Sequence, residues 1–203
     1  MGKALIIGCG GVASVAIHKC CQNSAAFSEI MIASRTKAKC DALKEKLAPT
    51  TATKIQTAQI DADDVPALTK LIRDCALDGV LNLALPYQDL HIMDACLAAG
   101  ANYVDTANYE PEDTAKFEYK WQWAYRERFE KAGLTALLGS GFDPGVTGVF
   151  AAYALKHHFD EINYTANPER NDGDLGYPLE TNFYPQIDIR ETSATGSHCE
   201  HCH

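Results

Sequence analysis

Apolar residues fall into two alternating rhythms along the first 140 or so positions. Short runs follow one another without a break, and between them lie longer stretches in which apolar side chains return every three or four residues. The runs are Ala4 to Ile7, Ile30 to Ala33, Lys54 to Ile60, Val80 to Leu85, Tyr103 to Thr106 and Leu134 to Leu138. Uninterrupted runs suit strands that are covered by helices on both sheet faces. The helical stretches are Val12 to Cys21, Lys37 to Leu47, the segment carrying Val65, Leu68, Leu71 and Ile72, then Leu90 to Ala99 and Ala115 to Ala132. Strand and helix in alternation predict βα units wound about a parallel sheet, the doubly wound α/β class.

Local punctuation agrees with these boundaries. Thr36 is placed to cap the second helix and Pro49 to end it, while Asp61 to Asp64 offer capping carboxylates to the third, with Pro66 in its first turn. Gly100 and Gly133 close the next two helices. The stretch 115–132 carries aromatic residues on more than one face, which predicts packing against a second domain or subunit, or against a thick core. Val146 to His157 reads as a helix leaving this unit. The domain boundary therefore falls near residue 146, with a partial substrate or dimerisation domain over 147–203. From residue 160 on, nine carboxylates face only Arg170 and Arg190. Two strand candidates, Ile162 to Thr165 and Ile187 to Arg190, are joined there by a segment too polar to bury much, as in an incomplete α+β domain.

Composition narrows the function. Eighteen Lys and Arg against 27 Asp and Glu give a net charge of −9, which argues against a protein built to bind a nucleic-acid backbone. Any phosphate must be met locally. No stretch reaches the roughly 18 apolar residues of a membrane helix, and the first residues run straight into a strand pattern. The expectation is a cytoplasmic protein without a targeting peptide. Of the eight cysteines, Cys9, Cys20, Cys21, Cys40, Cys75 and Cys96 sit inside apolar or helical patterns and read as reduced thiols. The terminal His198, Cys199, His201, Cys202 and His203 have the donors zinc prefers, but a single cluster on a chain end reads as a frayed tail, so no metal is expected.

Gly8-Cys9-Gly10-Gly11-Val12-Ala13 fits G-x-G-x-x-A between the first strand and the first helix. In that context Gly8 permits the tight turn, Gly10 allows a pyrophosphate to approach, and Ala13 lets helix and strand pack closely. Gly11 and Val12 would supply free N–H groups at the positive end of the helix dipole. The end of the second strand selects the dinucleotide, since a carboxylate there binds the ribose of NAD and a basic residue accommodates the 2′-phosphate of NADP. This chain has Ser34-Arg35-Thr36-Lys37, so NADP(H) is expected. Asp61 and Ala62 would lie near the adenine. Ala84, Leu85, Pro86 and Tyr87 would turn beside the nicotinamide ribose, and Asp105 and Thr106 would line the crevice opposite. Gly139 to Gly145 forms an abrupt loop suited to close approach of backbone to ligand. Asp143 and Asp105 could hold a cationic amine and Tyr87 could donate a hydrogen bond, although each also has a plain reading as a loop-capping side chain.

The glycine start, the S-R-T turn, A-L-P-Y-Q-D-L-H from Ala84, Y-V-D-T-A-N-Y from Tyr103 and G-S-G-F-D-P-G-V-T from Gly139 together resemble the saccharopine dehydrogenase-like family, and within it the carboxynorspermidine synthase branch. The resemblance covers nearly all of 1–160. It implies a Rossmann-type NADPH-dependent reductase and a homodimer. Its reaction joins L-aspartate 4-semialdehyde to 1,3-diaminopropane or putrescine by reducing their imine, a step in polyamine biosynthesis. Asp143 and Tyr87 match the crevice motifs and are the catalytic candidates. Family members run on past this length. The alternatives are therefore an NADP-binding fragment without activity, or a saccharopine dehydrogenase of lysine metabolism.

Overall fold

The computed structural model describes residues 2–113, 118–142 and 144–165. Its strands are β1 (Gly2–Ile7), β2 (Phe27–Ser34), β3 (Lys54–Gln59), β4 (Gly79–Asn82), β5 (Asn102–Asp105) and β6 (Ala136–Leu137). Its helices are α1 (Gly11–Gln22), α2 (Lys37–Leu47), α3 (Val65–Asp74), α4 (Asp89–Ala99), α5 (Lys120–Trp123), α6 (Arg126–Ala132) and α7 (Val146–His157), with 3-10 turns at Ala48–Thr50 and Pro86–Gln88. The strands form one parallel sheet in the order β3-β2-β1-β4-β5-β6. The chain winds outward from β1 through β2 and β3, then crosses back to β4 on the other side of β1. That reversal opens a crevice at the carboxyl ends of the strands.

Alternation along β1 divides the core. Ile6 packs with Ile30 and Ile32 of β2, with Ile17 of α1 and with Cys40 of α2. Leu5 and Ile7 face the other way, toward Leu68 and Ile72 of α3, Ile92 and Met93 of α4, and Tyr103. Each β1 side chain from Leu5 to Ile7 is at most 2% exposed, which explains why the run is apolar without interruption. On the α1 face a nearly apolar cleft of about 380 Å³ lies over Ala4, Ile6, Leu81 and Val104.

Three expectations change. The fourth strand stops at Asn82 instead of Leu85, because the Asn82 side-chain oxygen accepts from the Ala84 amide at 3.0 Å and turns the chain out of the sheet. Within the stretch 115–132, residues 114–117 lie outside the described residues and the rest forms two short helices. Tyr125 N donates to Gln122 O at 3.0 Å, a tight bond that marks the break between them. The strand expected at Ile162–Thr165 is irregular and pairs with no strand among the described residues; Ile187–Arg190 lies outside the described residues. Thr36 does stand at the start of α2, but without a side-chain capping bond.

Candidate active site

The turn from β1 into α1 shows two glycines with different physical reasons. Gly8 has φ +116°, and a Cβ there would lie 2.5 Å from the carbonyl oxygen of Leu83, so the close approach of the chain leaving β4 requires glycine. A Cβ on Gly10 would meet nothing within 4 Å, nor would one on Gly11. That open space lies at the amino end of a twelve-residue helix, where unpaired N–H groups and the helix dipole favour an anion. Val12 is exposed on the first turn, and Ala13 is 1% exposed, packed into the core between helix and sheet.

At the end of β2 the backbone of the basic turn is fixed from two sides. The Ser34 hydroxyl accepts from Thr36 N at 3.2 Å and donates to Thr36 O at 3.1 Å, and Gln59 Nε2 donates to Arg35 O at 3.1 Å. A cleft of about 370 Å³, large enough for part of a dinucleotide, is lined by Gly8, Gly10, Ser34, Arg35, Thr36, Ala62, Ala84 and Leu85. Lys37 takes no part in it, because its ammonium is held by Asp41 at 2.8 Å one turn along α2. Lys39 lines the cleft instead. Sequence reasoning missed it, although the i,i+4 spacing of Lys37 and Asp41 was the signal that would have set Lys37 aside. Asp61 is exposed and its carboxylate accepts from Asp63 N at 3.2 Å, so it shapes the loop next to Ala62. Pro86 and Tyr87 form the 3-10 turn that follows Leu85, and both are half-buried.

Cys9, between the two glycines, lies beside the Cys40 thiol. Burial, and then the neighbouring thiol, push its pKa up to about 11, which keeps it uncharged near neutrality. The six described cysteines are all free of disulfides.

The crevice wall on the other side is polar and closed. Asp105, expected to face a cationic amine, is 1% exposed, and both carboxylate oxygens are occupied within the protein. Oδ1 accepts from Gly139 N at 2.6 Å and Oδ2 accepts from Gln122 Nε2 at 2.6 Å. Tyr103 also donates its hydroxyl to this carboxylate. Asp105 is therefore part of the wall's support, not an amine contact. Asp89, 2% exposed, accepts from Asn82 Nδ2 at 2.7 Å. Burial first, and the Asp105 charge second, push the Asp89 carboxyl well above the usual carboxylate range. Burial raises Asp105 to about 6, with its three hydrogen bonds acting the other way.

The glycines after β6 also have a reason that differs from the expected one. A Cβ on Gly139 would strike the Tyr119 hydroxyl, one on Gly141 the Thr106 carbonyl oxygen, and one on Gly145 the Gly141 carbonyl oxygen. Close packing of loop on loop accounts for them. Thr106 thus marks where the loops after β5 and β6 touch. Asp143 lies outside the described residues.

Residues 4–137 match the family described as "Saccharopine dehydrogenase NADP binding domain". A carboxyaminopropylagmatine dehydrogenase from Synechocystis is 54% identical over 200 residues, covering 98% of this chain and 49% of that protein. A carboxynorspermidine synthase from Vibrio alginolyticus is 42% identical over 197 residues, covering 92% and 47%. The chain thus spans about half the length of the curated relatives it matches. Apo saccharopine dehydrogenase (L-Glu forming) from Saccharomyces cerevisiae shares the fold, with a TM-score of 0.62 at 20% identity over 77% of this chain and 31% of that one. No described helix is long and apolar enough to cross a membrane. With the glycine turn, the basic turn after β2 and the crevice at the strand ends all inside the matched span, the chain belongs to the saccharopine dehydrogenase family of NADP-dependent oxidoreductases and carries its NADP-binding domain.

Proposed function

We propose that this chain supplies the cofactor half of an NADPH-dependent reductase that joins a primary amine to an amino-acid semialdehyde by reducing their imine. The observation that supports this most is the cleft itself: cationic Arg35 and Lys39 stand at the end of β2, where an NAD-selective site would carry a carboxylate, and open space fronts α1. Gly10 and Gly11 would admit the pyrophosphate, and Ser34, Arg35, Thr36 and Lys39 the 2′-phosphate. Ala62, beside Asp61, would lie along the adenine, and Ala84 to Pro86 beside the nicotinamide ribose.

Bound there, the dihydronicotinamide supplies hydride; the protein's part is to orient and to hold charge. The substrate carbon is electrophilic only while the imine nitrogen is protonated. Groups that stabilise positive charge at that nitrogen would therefore favour the reactive form. A buried Asp105 carboxylate behind the crevice favours that cation, in a chain of net charge −9 that attracts polyamines. Tyr87 would donate a hydrogen bond at the reacting nitrogen or oxygen, and Asp143 would pair with the amine.

L-aspartate 4-semialdehyde is the aldehyde that fits this reading. For the amine, the name of the Synechocystis relative points to agmatine and those of the Vibrio relatives to 1,3-diaminopropane, with putrescine a third choice; we rank agmatine first, a choice the 54% identity to the former supports. A homodimer and a cytoplasmic location complete the proposal. A second reading, an NADP-binding unit with no turnover of its own, is favoured by the half-length match alone.

One cuvette experiment tests these. Purified chain is titrated with NADPH and NADH, then given aspartate semialdehyde and each amine in turn while nicotinamide absorbance is followed. Preference for NADPH with oxidation that requires both substrates, fastest with agmatine, is the expected result. NADPH binding without oxidation supports the second reading, and equal affinity for NADH overturns the role given to Arg35.

A further inference from the structure

Gln122 is the buried residue of α5, 1% exposed, while its neighbours Trp121 and Trp123 are 38% and 58% exposed. A four-residue helix folded for its own stability would do the reverse, burying an indole and leaving the amide in water. The amide instead uses its acceptor and its donors on three different segments. Its Oε1 accepts from Tyr109 N at 3.0 Å, in the loop after β5. Its Nε2 donates to Asp105 Oδ2 at 2.6 Å, at the end of β5, and to Asp89 Oδ2 at 3.3 Å, at the start of α4 just past the turn leaving β4. Asp105 in turn holds Gly139 N at 2.6 Å and, through its backbone oxygen, Ser140 N at 2.8 Å, which brings in the loop after β6. Directly or through Asp105, this side chain ties together the loops after β4, β5 and β6, and none of these hydrogen bonds reaches the ends of β1 and β2.

We propose that Gln122 is a positioning residue: it locks the loops after β4, β5 and β6 in one arrangement, so that the nicotinamide half of the cofactor and the substrate meet a preset wall. The adenosine half is held at the other end of the crevice and does not depend on it. What binds there rests on the function proposed above, whereas the lock rests on the hydrogen bonds alone. A buried network in which every member is satisfied gives a fixed geometry, and losing one member leaves the others unpaired.

The test compares the chain with Gln122→Met, of similar volume but without polar groups, and with Gln122→Glu, which keeps the acceptor for Tyr109 and removes the donors. Each is titrated with NADPH and with adenosine 2′,5′-bisphosphate, and amide hydrogen exchange is read at Tyr109, Gly139 and Gly8. Both variants are expected to bind adenosine 2′,5′-bisphosphate within about twofold of the parent and NADPH roughly tenfold more weakly. In Gln122→Met, exchange should quicken at Tyr109 and Gly139 while Gly8 keeps its protection; Gln122→Glu, which keeps the acceptor, should quicken Gly139 alone. Equal weakening of both ligands in both variants would show a merely structural role and overturn the proposal. So would unchanged exchange at Tyr109 and Gly139. If the parent chain binds neither ligand, the cofactor reading has failed, and the exchange data still decide the lock.

Discussion

Arg35, to which we assign the cofactor preference, sits on a backbone that other residues hold in place. Gln59 fixes its carbonyl and Ser34 clamps the next residue, so the guanidinium projects from a preset turn into the cleft. Charge-assisted hydrogen bonds to a phosphate contribute about 1.5 to 3 kcal/mol each. Arg35→Ala is accordingly expected to weaken NADPH by roughly tenfold to a hundredfold while leaving NADH nearly unchanged, measured by fluorescence titration of both. Asp105 and Lys37 show the limit of residue-level reading. A carboxylate at a strand end and a lysine after a basic turn look available in the sequence, yet the first is enclosed by Gly139, Gln122 and Tyr103, and the second is turned aside by Asp41.

Elements were legible where local chemistry suffices to place them. Helix α3 is an example: Asp64 accepts from Ala67 N at 2.9 Å, Pro66 sits in the first turn, and Leu68 and Ile72 are buried on one face. Every one of these is a sequence signal with a local cause. Asp64→Ala is expected to cost about 1 kcal/mol, read as a lowered urea midpoint with an unchanged slope. The stretch after residue 114 was less legible. Its aromatic residues promise a continuous helix, but Gln122 is drawn into the crevice wall while Tyr125 reaches Asp94 at 3.1 Å and Phe129 enters the core against α4, and the helix divides between those anchors.

For the whole molecule, the two buried carboxylates at the crevice make stability depend on pH. The Asp105 pKa is about 6 in the fold against an ordinary 3.8, so the folded state holds its proton more tightly than the unfolded chain does. Its contribution is fully present below about pH 3.8 and is lost as pH rises through 6, a change on the order of 3 kcal/mol. Asp89 acts in the same direction. Glu29 and Asp41, both held below the usual carboxylate range, oppose this at the acid end. The clean measurement is therefore a difference: urea unfolding of the parent and of Asp105→Asn from pH 4 to 7. The parent should lose stability relative to the variant across pH 4 to 6, and parallel curves would contradict the buried charge.

The sequence by itself determined the doubly wound sheet, the order of its helices, the glycine turn and the basic turn after β2. Each depends on periodicity or on neighbours within a few residues, where backbone geometry and burial leave little choice. Only the tertiary structure decided that Gly8 answers to Leu83, that Gly139 and Gly141 pack against Tyr119 and Thr106, and that Gln122 joins three loops. Those facts depend on contacts between segments from 13 to 75 residues apart, whose partners no local pattern names.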